Sequence, residues 1–229
     1  MSGAWILEVL REPATRECIA LSGKVALVAM PLLAVGGVGL GYVLGSGKGR
    51  WLPLLDFFVT LPLVFPPIAT GFLLLLALGR RSAIGIWLKE SLGLEIIFSF
   101  WGVVLAACIA GLPLIVKQVQ AAVRRETTRL VETALVLGKS PLSIFFRVIL
   151  PSLKTSIAIG LSLAFARSLG EVGVTLMLGG NISGRTNTIS LEVYNAVFTG
   201  EYQRAFVLVL LLGLLSLGLI LLTRYLSRQ

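Results

Sequence analysis

Arg167 and Glu171 stand four residues apart inside an apolar run, SLAFARSLGEVGVTLML. Four-residue spacing puts both side chains on one side of a helix, where they can neutralise each other. An ionisable group in the middle of a bilayer-spanning segment costs roughly a few kcal/mol unless it is paired or wetted. Three readings follow: an ion pair that closes on itself within a helical bundle, an arginine that faces a water-filled path and helps an oxyanion through, or a contact with a neighbouring helix or second copy. A tight arginine site for a dianion would hinder release, because conduction needs weak contacts. The pair is therefore read as a structural ion pair or a path element, not as a binding site.

Little else in the chain suggests covalent or metal chemistry. There is no histidine, and Cys18 and Cys108 have neither a disulfide framework nor a metal-ligand spacing. No nucleophile motif or paired carboxylate suggests an enzyme. No Gly-rich loop ending in Lys and Ser or Thr is present, so a nucleotide such as ATP, with its Mg, must be held elsewhere. The expectation is a non-enzyme with no cofactor and no metal of its own.

The elements that would position Arg167 and Glu171 are hydrophobic. Of the 229 residues, 56% are hydrophobic and only 14% charged, against about a quarter charged in ordinary soluble domains. The predicted class is all-α: a polytopic helical membrane protein, one transmembrane domain over residues 1–229. A helix needs about 20 residues to cross the hydrocarbon core, and five segments qualify: Ile19 to Leu44, Leu54 to Leu78, Ile96 to Val116, Thr155 to Leu178 and Ala205 to Leu222. Pro62, Pro66 and Pro67 predict a kink or late start in the second. The stretch GAWILEVL is too short to span and reads as interfacial. No cleaved leader is expected, because Glu8, Arg11, Glu12, Arg16 and Glu17 interrupt the N-terminus. No regulatory domain is expected after Arg224.

The net charge of +9 comes from basic residues at the ends of apolar runs. That is membrane topology, not nucleic-acid binding. Lys117, Arg124, Arg125, Arg129, Lys139, Arg147 and Lys154 cluster between the third and fourth crossings. This places the loop of about 118–153 in the cytoplasm, the N-terminus and a loop of about 179–204 outside, and the C-terminus inside. Arg80, Arg81 and Lys89 run against that assignment but are outnumbered. Small residues recur at four-residue spacing: Gly37, Gly41 and Gly45; Gly102, Ala106 and Ala110; Ala158, Ser162, Ala166 and Gly170. Such stripes let helices in lipid approach closely. In the outer loop, Arg185, Thr186 and Asn187 are candidates to meet an oxyanion, beside an ordinary turn role. No internal repeat is visible, which weakens an ion-driven carrier with inverted halves.

The loop itself, ETALVLGKSPLSIFFRVILP from Glu132 to Pro151, reads as two short helices around a turn at Gly138. Ser140 and Pro141 form a cap and first-turn pair that restarts the helix. Leu142, Phe145, Phe146 and Ile149 then line one apolar face, and Pro151 ends the element. Alone, this amphipathic hairpin fits either a surface gripped by another protein or a helix lying on lipid.

The same stretch resembles the EAA loop of ABC-transporter permeases: E-A-A, three residues, Gly, nine residues, I-x-L-P. Here the pattern is Glu132, Thr133, Ala134, then Gly138, then Val148 to Pro151, with Thr133 and Val148 as mild departures. LPLVFPPIATGFLLLLALGRRSAIG and AFARSLGEVGVTLMLGGNISGRTNTISLEVY further resemble the molybdate and tungstate importer branch. The similarity runs over roughly residues 19 to 225, and five crossings with the N-terminus outside agree with that branch. The resemblance implies the permease subunit of an ATP-driven importer for an oxyanion, molybdate or tungstate before sulfate. It implies that Glu132, Ala134, Gly138, Leu150 and Pro151 belong to a coupling element for a separate ATPase. It also implies three partners: a second copy of the chain, cytoplasmic ATPase subunits and an external oxyanion-binding protein, in a bacterial or archaeal cytoplasmic membrane. A self-sufficient channel or secondary carrier is the remaining alternative.

Overall fold

A computed structural model of the chain describes residues 4–47, 49–127 and 140–227. Among them there are helices and no strands. In chain order the helices are α1 (Ala4–Arg11), α2 (Pro13–Ser46), α3 (Leu52–Val64), α4 (Pro67–Leu78), α5 (Ala83–Leu92) and α6 (Phe100–Ala122). They continue as α7 (Pro141–Ile144), α8 (Leu150–Ser152), α9 (Lys154–Leu169), α10 (Gly173–Gly179), α11 (Ile189–Phe198) and α12 (Tyr202–Ser227). Two wide π-helical turns, Val123–Thr127 and Phe145–Ile149, flank the undescribed part of the basic loop.

Helices α2, α6 and α12 are each long and apolar enough to cross a membrane alone. By length and composition the number reaches five if each of two bent pairs, α4 with α5 and Phe145–Ser152 with α9, counts as one span; each pair is bent by 61°. The second predicted crossing is α3 plus α4, interrupted at Phe65 and Pro66. The fourth is a correction. It is not one helix from Thr155 to Leu178 but α9 and α10, separated at Gly170 to Val172.

Helix α6 is the centre of the bundle: 56% of its apolar window is buried, against 28% for α2 and 17% for α12. Small residues set its distances to both neighbours. A Cβ on Gly37 would overlap Ile115 Cγ2, and one on Gly41 or Gly45 would fall 2.6 Å from the Cβ of Val119 or Val123. The predicted α2 stripe is thus the α2–α6 contact. On α9 the stripe is shifted from the expected one. Gly160 and Ala164 face α6, where a Cβ on Gly160 would sit 3.1 Å from Ile115 Cα, and Ser168 donates to Ala107 O at 2.6 Å. Ser162 instead turns to α12 and donates to Thr223 Oγ1 at 2.8 Å, while Gly170 is exposed. Two small-residue faces exist on α9, and its hydroxyl partners decide which neighbour each one takes.

The basic residues Lys117, Arg124 and Lys154 share one end of the bundle with the C-terminal end of α2 and the start of α3. The opposite end carries α1, α5, α11 and the start of α12.

Candidate functional site: two interrupted spans and the two ends of the bundle

Helix α9 unwinds over its last turn, where Gly170 N and Glu171 N donate at 3.3 Å to Ala166 O and Ser168 O. Glu171 then spans the gap. Its Oε2 accepts from Arg167 Nη1 at 2.7 Å, and its Oε1 accepts from Val174 N at 2.8 Å in the first turn of α10. One carboxylate thus neutralises an arginine and satisfies an orphan N–H of a helix start, where negative charge is favoured. The Glu171 side chain is 2% exposed and that of Arg167 36%. The cation therefore has a face toward the surroundings, and the anion does not.

This break lies against the break in the second span. A Cβ on Gly173 would be 2.9 Å from Pro67 Cβ, and one on Gly71 would be 2.8 Å from Met177 Cβ. Helices α4 and α10 therefore start side by side and run together to the opposite end. Beside them Glu171, Ser168, Thr175, Ser22 and Thr188 contribute to a cavity of about 30 Å³. That holds about two waters, not a hydrated dianion.

The opposite end is closed by a buried polar network. Glu192 on α11 is buried and pairs with Arg204. It also accepts from Asn187 Nδ2 and, at 3.3 Å, from Asn195 Nδ2. Arg204 further meets Glu12 at 3.3 Å and Glu201 at 3.2 Å, tying α11, α12 and the start of α2 together. Ser22 Oγ accepts from Ile189 N at 3.0 Å, and Ser190 donates to Leu169 O. Thr186 donates to Gly179 O at 2.7 Å and accepts from Ile182 N at 2.9 Å. Of the three candidates in this loop, Thr186 and Asn187 are buried turn builders, and only Arg185 is exposed.

The basic end is more open. Lys117 Nζ donates to Asp56 Oδ1 and Oδ2 at 2.7 and 2.8 Å, and Gln120 Nε2 donates to Oδ1 at 3.1 Å. Arg124 Nη2 reaches Leu44 O at 3.4 Å. Of the predicted coupling residues, Glu132, Ala134 and Gly138 lie outside the described residues. Leu150 is half-buried and Pro151 exposed, both on α8. Ser140 caps the restart, its Oγ accepting from Ser143 N at 3.4 Å.

Two expectations for this stretch are corrected. Pro151 does not end the helix, which runs to Ser152 and bends at Leu153. The wide turn before it, with Leu150 N bonded to Phe145 O, accommodates a residue that has no N–H and crowds the preceding turn. The same widening changes the apolar spacing: Ile144, Ile149 and Leu153 are buried and Phe146 is exposed. Tyr42 of α2 packs edge-on to Phe145, ring centroids 5.1 Å apart.

The sequence reading missed the Asp56–Lys117 and Glu192–Arg204 pairs. Asp56 and Lys117 are distant in the chain, Glu192 and Arg204 lie on two consecutive helices, and no single-helix spacing marks either pair.

A helical bundle with several spans long and apolar enough to cross a membrane, two of them interrupted, is the architecture of a membrane component. The chain belongs to the family described as binding-protein-dependent transport system inner membrane component, which matches residues 37–229. It is 35% identical over 214 residues to the molybdenum transport system permease protein ModB of Escherichia coli K12, covering 93% of each chain. It is 38% identical over 190 residues to ModB of Mycobacterium tuberculosis, covering 83% of this chain and 71% of that one. It is 34% identical over 223 residues to the probable transport system permease protein NifC of Clostridium pasteurianum, covering 93% and 78%. The fold also matches a chain of a bacterial ABC transporter involved in import of the acidic polysaccharide alginate. There the TM-score is 0.76 at 15% identity, covering all of this chain and 84% of that one.

Proposed function

We propose that this chain is the permease subunit of an ABC importer for molybdate, with tungstate as a close alternative cargo. The observation that carries the reading is the 35% identity to a molybdenum permease along 93% of both chains. The chain is a transport component and supplies no hydrolysis itself. ATP and Mg are bound by a separate cytoplasmic subunit that grips the loop containing Glu132, Ala134, Gly138, Leu150 and Pro151. The basic end then faces the cytoplasm, and the end closed by Glu192 and Arg204 faces an external oxyanion-binding protein, in a bacterial inner membrane. A solved relative of this fold, the alginate transporter, is described in complex with its periplasmic protein.

The internal cavity beside Glu171 is too small for a hydrated dianion. The path therefore runs between two copies of the chain about a two-fold axis, which is the commonest closed assembly. The exposed side of Arg167 is the cation of span four that the passing anion meets, its strength tempered by Glu171. Alternating access follows if the ATPase binds the hairpin differently in two global states.

The test is reconstitution with the ATPase and binding protein, reading ATP hydrolysis stimulated by molybdate-, tungstate- or sulfate-loaded binding protein. Stimulation by molybdate is expected; stimulation by sulfate alone removes the substrate assignment. Gly138→Pro is expected to leave the chain inserted while hydrolysis no longer drives uptake. Normal uptake in that variant removes the hairpin from the mechanism.

A further inference from the structure

The Asp56 carboxylate is bound the way an oxyanion is bound. Lys117 reaches both of its oxygens and Gln120 adds a third contact. Arg124 follows in the π-helical turn after α6, where its Nη2 donates to Leu44 O at 3.4 Å and its side chain lines the same groove as Asp56 and Gln120. Asp56, Gln120 and Arg124 also line an open groove of about 360 Å³ together with Leu44, Leu52 and Pro53, and Lys117 reaches it through its bond to Asp56. That is ample room for a four-oxygen anion and its water.

The two intramembrane carboxylates differ in whether they can leave. Glu171 is 2% exposed and holds a backbone N–H, so its departure would strand two groups. Asp56 is 34% exposed and its partner Lys117 35%, and no backbone N–H depends on its carboxylate among the described residues. It sits on α3, which the break at Phe65 and Pro66 separates from α4. Helix α3 therefore has no share in the tight α4–α10 contact, and it packs instead through Leu52 and Val59 on Val116 and Leu44.

We propose that Lys117, Gln120 and Arg124 form a receiving site for a tetrahedral dianion at the cytoplasmic end, with Asp56 as its built-in occupant. The inference rests on the oxyanion-importer reading. An arriving anion takes over the donors that hold Asp56, and the carboxylate then returns and displaces it. This answers the objection that a cationic site in a path holds its cargo too long: the site carries its own competitor, so net affinity stays low and release is fast. No covalent step is involved, only exchange of one anion for another on the same donors.

The test uses the assembled transporter in lipid nanodiscs, with radiolabelled molybdate in equilibrium dialysis and sulfate and chloride as competitors. Removing a like charge from a site with charge-assisted donors is expected to tighten molybdate binding about tenfold in Asp56→Asn. Sulfate should compete and chloride should not. Adding Lys117→Gln to Asp56→Asn should abolish the gain. Asp56→Ser serves in the same comparison should Asp56→Asn not reach the membrane. Unchanged affinity in both Asp56 variants, a gain that survives Lys117→Gln, or equal competition by chloride overturns the proposal. If the pair only fastens α3 to α6, Asp56→Asn and Lys117→Gln lower the thermal midpoint alike and neither alters binding. Wild-type uptake in proteoliposomes made from the same purified complex separates the two readings. Transport of molybdate without a gain in Asp56→Asn overturns this site alone, whereas no oxyanion transport by the wild type overturns the importer assignment.

Discussion

Span two stops at Phe65 and Pro66, span four at Gly170 to Val172, and the two stops touch, Gly173 against Pro67. Their causes differ. In span two the chain itself ends the helix. Pro66 and Pro67 cannot donate, and the residue before a proline is pushed out of the helical region, as Phe65 is at φ −78° and ψ 141°. In span four there is no proline. Gly170 loosens the last turn, and a single carboxylate takes the place of the missing backbone bond. A break written in the backbone persists whatever the neighbours do. A break held by a side chain lasts only while that side chain stays charged and in place. The first kind suits a fixed joint between independently moving halves. The second suits a position where a cation must be both supplied and restrained.

The largest expected effect is at Glu171. Glu171→Ala leaves Arg167 without its counter-ion and Val174 N–H without an acceptor. The cost is about 3 kcal/mol, the lower part of the range for breaking a buried pair, because Arg167 keeps a solvated face. A fall in thermal midpoint in detergent, with loss of folded protein in membranes, checks it. Glu171→Gln keeps an acceptor for Val174 N–H and should recover part of the stability but not the charge balance at Arg167. If both variants are as stable as wild type, span four does not depend on its side chain and the contrast with span two collapses.

Next in size is the contact between the breaks. Gly71→Leu forces a side chain where even a Cβ would stand 2.8 Å from Met177 Cβ. Overpacking of this kind costs roughly 1–3 kcal/mol. The expected result is separation of α4 from α10, read as loss of crosslinking between cysteines placed on the two helices. Wild-type crosslinking in Gly71→Leu would show that the two halves are held by something other than this glycine contact.

The difference between the breaks also decides what the sequence discloses. Backbone causes are local, so the prolines of span two announce its interruption, and five apolar runs announce the bundle. The α2 stripe of Gly37, Gly41 and Gly45 is readable for the same reason: one face, one spacing, one partner. Span four reads as continuous because a carboxylate four residues after an arginine looks the same in an unbroken helix. Its second role, accepting from Val174 N–H, exists only once the helix has stopped. On α9 two small-residue faces compete, and only Ser168 meeting Ala107 O and Ser162 meeting Thr223 show which faces α6. Around Phe145 the expected three-and-four spacing fails because a π-helical turn places Ile144, Ile149 and Leu153 on the buried side instead. The pair Asp56–Lys117 joins distant segments and Glu192–Arg204 joins two consecutive helices across a turn, so periodicity within one helix finds neither.

A smaller effect is expected from Pro66→Ala. Phe65 N already donates to Leu61 O at 2.9 Å and Thr70 N to Pro66 O at 2.9 Å, and Pro67 remains to hold the break. The change in stability should stay within about 1 kcal/mol. The double variant Pro66→Ala/Pro67→Ala removes the backbone cause altogether. If the break then closes into one helix, as judged by hydrogen-exchange protection of the amides at 66 and 67, the prolines alone set it. If it stays open, packing on α10 holds both breaks, and the two spans are more alike than they look.

The smallest effect lies beyond span two, at Glu95. Its carboxylate takes Lys89 at 2.7 Å and Arg80 at 3.1 Å, tying α5 to the turn after α4. The Lys89 hydrogen bond first, and then the charge of Arg80, hold this carboxyl below its ordinary value of 4.5. A depressed folded-state pKa means that the pair stabilises above the ordinary carboxylate value and that its contribution is lost as pH falls through the lowered one. The Glu95 side chain is 38% exposed, and solvent screens the pair. Glu95→Gln should therefore leave the thermal midpoint unchanged at neutral pH. Faster hydrogen exchange confined to α5 is the expected sign, matching that of wild type at a pH below its lowered value. If Glu95→Gln also loosened α4, the outer half of span two would be held by surface charge rather than by Gly71 against Met177 and Gly173 against Pro67. The backbone-defined break would then have no rigid body on its outer side.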